Sequence, residues 1–202
     1  MKKEEAAYRT TTSLVEIARN HFTAHGYHNV SLEIIAEEAK VTRGAVYHHF
    51  KSKKGLFIAV LENVQKDVAK KVKAEASKDD DLWQQLILGC LGFVKGANAN
   101  ENRRILLVDA PAVLGWDVWR KSDRENSMNT LQEHIEMLEA QGYLRDSVDI
   151  DLMTFSISGA LNELSLVYLA NDKLGESDLL LSTISLLVSG FKKQLTGGGI
   201  SG

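Results

Sequence analysis

The sequence predicts an all-α fold, and two observations carry that prediction. Apolar residues recur at three- and four-residue spacing along most of the 202 positions, and the single proline is accompanied by no alternating Val, Ile and Thr run that would read as a strand. Hydrophobic residues make up 44% and charged residues 25%, the balance of a globular chain able to bury a core of its own.

The first helix is predicted over 10–25, where Leu14, Ile17, Ala18 and Phe22 share a face and Gly26 supplies the stop. Ser31 is an N-cap for a short helix over 32–39 with Ile35 and Ala36 facing in, and Thr42 caps a second over 43–50 anchored by Val46 and Phe50. So short a connection needs small side chains where the two helices cross, and Ala36 and Ala39 supply them. Ser52 caps a longer helix that opens on Lys53, Lys54 and Gly55 and runs to about residue 76, with Leu61, Val64, Val68 and Val72 as its stripe.

The exposed residues of 31–56 suit a nucleic-acid backbone better than a reaction. Gly44 weakens its helix by about 1 kcal/mol relative to alanine, a cost that makes sense where the backbone must approach another surface. In a DNA major groove Arg43 can bind guanine O6 and N7 while Ala45 touches a thymine methyl. Tyr47 and His48 then meet phosphates at the groove edge, and Lys53 at a capped helix start completes an anion site. With the caps Ser31 and Thr42, these residues form the expected DNA-binding set. The charge agrees: residues 1–76 hold 13 Lys and Arg against 9 Asp and Glu, +4, while the remainder holds 11 against 18, −7, within a net charge of −3.

Behind this head, Asp79–Asp81 starts a helix over 82–98 that contains Gly89, Gly92 and Gly96, glycines that serve close helix packing or make room for a ligand. Pro111 and Gly115 mark a break, after which Trp116 and Trp119 are either core or the wall of an apolar pocket. A long helix is expected over 117–140, ended by Gly142, and two more over 150–171 and 177–195. The candidate ligand-binding residues are Phe93, Trp116, Trp119, Phe155 and Asn162, fitting an apolar or cationic aromatic compound. The last helix carries Leu180, Ile184, Leu187 and Phe191 on a stripe suited to pairing with a second copy.

The run IARNHFTAHGYHNVSLEIIAEEAKVTRGAVYHHFKSKKGLF resembles the N-terminal helix-turn-helix of the TetR family of bacterial transcriptional regulators. The matching positions include Ile17, Ala18, Phe22, Gly26, Tyr27, Ser31, Ile35, Ala36, Val41, Gly44, Tyr47, Phe50, Lys53, Leu56 and Phe57; Lys40 departs from the glycine common there. The resemblance implies a three-helix DNA-binding domain over 1–54, a helical ligand-binding and dimerisation domain over 55–196, and a flexible tail over 197–202. It also implies a homodimer that binds double-stranded operator DNA and represses until a small-molecule effector releases it, the last two long helices forming the dimer interface. The effector's identity, the operator sequence and the choice between repressor and activator stay open.

Other function classes find little support. His21 and His25 share a helix face but have no third ligand nearby, so no metal site is expected. No nucleophile, base or paired carboxylate forms a catalytic constellation, and no enzyme activity or cofactor is expected. A helical adaptor that binds protein remains as the third class, separable by the steep salt dependence of DNA binding. Cys90, alone in LILGCLGFV, favours a reducing, cytoplasmic setting, and Asn162 with Glu163 inside the most apolar stretch argues against a membrane span.

Overall fold

The computed structural model describes residues 2–124, 128–171 and 177–194. Its described residues are helical, with no strand beyond an isolated antiparallel bridge between Leu144 and Lys192. The order is α1 (Lys2–His25), α2 (Leu32–Glu38), α3 (Arg43–Phe50), α4 (Lys53–Ala76), α5 (Leu82–Ala97) and α6 (Asn100–Arg103). A π-helical turn at Arg104–Asp109 leads into α7 (Ala110–Leu114), α8 (Trp116–Asp123), α9 (Asn129–Ala140), α10 (Ile150–Asn171) and α11 (Ser177–Ser189).

The sequence's punctuation acts where it stands. The side chains of Ser31, Thr42 and Ser52 accept hydrogen bonds from the N–H groups of Ile34, Ala45 and Gly55, each closing one orphan donor of a helix start. Asp81 does the same for Gln84 in α5. Gly26 and Gly142 take positive φ at helix ends, as the sequence requires of them. Among the described residues, Lys40 and Lys51 are the non-glycine residues of positive φ, at 55° and 65°.

Two apolar cores result. The first gathers Leu14, Ala18 and Phe22 of α1, Ile35, Val46 and the α4 residues from Leu56 to Val68, and extends to Ile105, Leu114 and Trp119. The second joins Trp83 to Val94 of α5 with Ile135 and Leu138 of α9, Ile157 of α10 and Ile184 of α11; Phe93 packs against both. α4 and α5 cross closely because of the glycines: a Cβ on Gly92 would stand 2.9 Å from the Val72 Cα, and one on Gly96 would stand 3.3 Å from the Lys71 Cβ. These two therefore serve packing, whereas Gly89 has ordinary space before Val72.

The structure departs from the sequence expectation in four places. α1 begins at Lys2 rather than near residue 10, because a charged, solvent-facing start carries no apolar stripe to read. The helix expected over 117–140 appears as α8 and α9, with 125–127 outside the described residues. α11 ends at Ser189, where the backbone of Phe191 and Lys193 turns to pair with Arg145 and Tyr143. Finally, Leu180 and Ile184 are 3% and 0% exposed within the chain's own second core, so they are not free to meet another copy. Phe191 also packs on that core, and Leu187, 37% exposed, faces out with Leu179 and Leu186. The expected tail over 197–202 lies outside the described residues.

Candidate nucleic-acid interface and the cavity behind it

α3 buries Val46, half-buries Ala45, His49 and Phe50, and turns Arg43, Gly44, Tyr47 and His48 outward. Tyr47 is 60% exposed, and Arg43, Gly44 and His48 are exposed beside it. Nothing crowds Gly44: a Cβ there would meet only the Thr42 Oγ1, at 3.7 Å. Arg43 Nη1 lies 2.8 Å from Glu33 Oε1 of α2. The Glu33 carboxyl is held below its ordinary value first by a hydrogen bond from its own backbone N–H, then by the Ser31 hydroxyl, with Arg43 adding a smaller push.

Lys53 is tucked in. Its Nζ donates to the His28 carbonyl at 3.3 Å and stands 4.4 Å over the Tyr27 ring, and burial pushes its pKa down. Ser31 and Thr42 cap the starts of α2 and α3, and Ala45 donates its N–H to the Thr42 hydroxyl. His21 is paired with Glu38 at 2.7 Å. A contact that sequence reasoning missed joins α1 to α3, the Thr11 Oγ1 at 3.3 Å from His49 Nδ1.

Two arginines fasten the head to the helical body. Arg19 Nη1 donates to Asn63 Oδ1 and Asp67 Oδ2, each at 2.6 Å, while Nη2 donates to Asn102 Oδ1 at 2.7 Å. Asn102 in turn donates to the Gly96 carbonyl at the end of α5. Burial raises the Asp67 carboxyl, but the hydrogen bonds and charges of Lys70 and Arg19 outweigh it and hold the group below 3.8. Arg104, in the π-helical turn, donates to the Thr23 and Ala24 carbonyls that end α1, and Asp109 of the same turn accepts from the Tyr27 N–H at 2.9 Å. No sequence signal marks this junction, since its partners lie 44 to 83 residues apart and a π turn carries no period of its own.

Behind the junction lies a cavity of about 460 Å³ bounded by α4, α5, α9 and α10. Val68, Val72, Leu86, Cys90, Phe93 and Leu161 make its apolar wall, and burial pushes the Cys90 thiol up to about 12. Of the five residues expected to bind a ligand, Phe93 lines this cavity and the other four do not. Trp119 is buried in the first core, and Trp116, 63% exposed, stacks on it at 5.1 Å. Phe155 lies under Arg124 at 4.8 Å beside a smaller cleft of about 80 Å³, and Asn162 is half-buried on α10. For the two tryptophans the physical reason is that α8 packs into the first core, whereas the cavity opens where α4 of the first core faces α5, α9 and α10 of the second. Glu133 and His134, which sequence reasoning did not place at a ligand site, also line it.

Residues 14–60 match the family of bacterial regulatory proteins called tetR, and residues 83–191 match the tetracyclin repressor-like C-terminal domain. A probable acrEF/envCD operon repressor of Escherichia coli K12 is 28% identical over 173 residues, covering 82% of this chain and 78% of its own. The transposon Tn10 TetC protein of Escherichia coli is 26% identical over 159 residues, covering 78% and 79%. The crystal structure of a TetR-family transcriptional regulator from Pectobacterium atrosepticum superposes with a TM-score of 0.78 at 29% identity, covering 94% of this chain and 97% of that one.

Proposed function

The chain belongs to the TetR family of bacterial DNA-binding transcriptional regulators, and from that premise we propose that it is a dimeric repressor released from its operator by a small molecule. One observation carries the reading: α4 starts at the DNA-facing head and, four turns later, forms a wall of the cavity through Val68 and Val72. A ligand that prefers one placement of α4 therefore biases where α3 stands, by no more than its difference in affinity for the two placements.

In this reading residues 1–54 choose the DNA and 55–196 control the choice. Arg43, Gly44 and Ala45 enter the major groove, Tyr47, His48 and Lys53 meet phosphates, and Ser31 and Thr42 add helix-start N–H groups and hydroxyls. The exposed Leu152, Leu166, Leu179, Leu186 and Leu187 of α10 and α11 form the apolar face that a second copy covers. Pairing sets the two α3 helices about 34 to 36 Å apart, one turn of DNA.

Fluorescence anisotropy on the DNA upstream of the chain's own gene tests this. The parent should prefer that DNA to random duplex, with affinity falling steeply in salt. Arg43→Ala should cost about 1 to 3 kcal/mol and relax one base position, and Lys53→Ala should weaken binding to every sequence. Equal binding to both duplexes, or a parent-like Arg43→Ala, ends the proposal.

A further inference from the structure

The polar atoms around the cavity are unevenly spent. His134 Nε2 lies 2.9 Å from the Leu82 carbonyl oxygen, which can only accept, so Nε2 carries the proton and Nδ1 of the neutral ring keeps a lone pair. The Gln85 amide nitrogen donates to the Asp79 carbonyl at 3.0 Å, and its Oε1 accepts nothing among the described residues. Ser158 directs its proton towards Asp123 Oδ2 at 3.5 Å, and Ser77 directs its own to the Lys73 carbonyl at 2.7 Å, leaving oxygen lone pairs in both cases. Each of these four side chains lines the cavity. His134, Ser77 and Ser158 commit their donors to the protein and Gln85 commits one of its two, while all four keep an acceptor; the other lining donors, Lys73 and Thr130, are exposed and hydrated.

The mouth does not reverse this bias. Its exposed lining residues fall on two helical stripes, Ala69, Lys73 and Ser77 on α4 facing Thr130, Glu133 and Met137 on α9. Lys73 and Glu133 bring one charge of each sign, both hydrated, and neither selects strongly. Selection falls to the interior, where an acceptor left without a donor loses the hydrogen bond it made to water.

We propose that the effector is an apolar, ring-sized molecule that carries hydrogen-bond donors, a phenol or an amine, and that the cavity discriminates against carboxylates and other acceptor-only compounds. The inference rests on the cavity being the effector site. A carboxylate would set its oxygens against Gln85 Oε1, His134 Nδ1 and the Ser158 lone pairs, and nothing in the apolar wall of Val72, Leu86, Phe93 and Leu161 would compensate. A phenol of the same frame supplies the missing proton.

Isothermal titration of the full chain with para-butylphenol, para-butylanisole and para-butylbenzoate tests both levels. The three share a frame and differ in having a donor, having none, or bearing a negative charge. The phenol should bind about tenfold or more tighter than the anisole, with the benzoate weakest. The double variant Gln85→Leu with His134→Phe should bind phenol and anisole alike. Ala69→Trp, an exposed mouth position that leaves both cores untouched, should block all three. An anisole or benzoate that binds as tightly as the phenol overturns the ligand class while the cavity stands. Binding that survives Ala69→Trp, or no binding by any of the three, overturns the cavity as effector site and the proposal with it.

Discussion

In the DNA-free protein Arg43 Nη1 and Glu33 Oε1 stand 2.8 Å apart, so the residue expected to read guanine is already engaged by its own chain. Both side chains are more than half exposed, and water screens the pair. Glu33→Gln should release Arg43 and remove a negative charge from the phosphate-facing side. Anisotropy should then show operator binding several-fold tighter, with no loss of thermal stability. Unchanged or weaker binding would mean that the pair does not compete with DNA.

Gly44 and Gly55 should respond oppositely to one added methyl group. At Gly44 the space is open, so Gly44→Ala gains up to about 1 kcal/mol of helix stability while its methyl obstructs the approach to the groove. At Gly55 a Cβ would fall 2.0 Å from the Phe50 carbonyl oxygen, which forces the backbone to shift. Gly55→Ala should cost about 2 to 3 kcal/mol, in the range of an overpacked core. Denaturant unfolding beside anisotropy separates the two: the first variant is more stable and binds worse, and the second is less stable.

Lys40 occupies a conformation, φ 55°, that a side chain makes costly by about 1 kcal/mol or more. Lys40→Gly should raise the unfolding free energy of the head, by less than that amount because glycine loses more entropy on folding. DNA affinity should fall slightly through the lost charge, with a shallower salt slope. A decrease in stability would show that the lysine stem contributes packing that outweighs its strain.

The Arg19 junction makes stability depend on pH. Asp67 is held below 3.8, so its contribution is fully present above the unfolded value of about 3.9 and is lost as pH falls through the lower folded value. The parent should therefore exceed Asp67→Asn in stability at pH 7, and the gap should shrink as the pH is taken below the ordinary carboxylate value. Arg19→Met should cost about 1 to 2 kcal/mol at neutral pH, because three hydrogen bonds are lost and Asp67 is left with Lys70 alone. Urea unfolding across that pH range checks both.

What was legible in the sequence was what is local. Ser31, Thr42 and Ser52 cap where they stand because capping needs only three residues, and the outward set of α3 follows from the two buried anchors beside it. The side of α11 that faces inward was not legible: Leu179, Leu180, Leu181, Ile184, Leu186, Leu187 and Val188 surround much of the helix, and only the position of α5 decides that Leu180, Ile184 and Val188 turn in. The cavity was missed for a similar reason. Tryptophans beside a break look like pocket walls, but a void is set by which helices fail to meet, and α8 meets the first core.

The crossing at Gly92 and Gly96 bears on descent. No side chain larger than hydrogen fits at Gly92 without moving α4, so that seam is closed to variation, whereas Thr130, Glu133 and Met137 are exposed on α9 across the cavity. On the proposed reading, lineages that diverge from this chain can acquire new chemical cues through α9 while inheriting the same lever, so that what is sensed is free to drift faster than how it is answered.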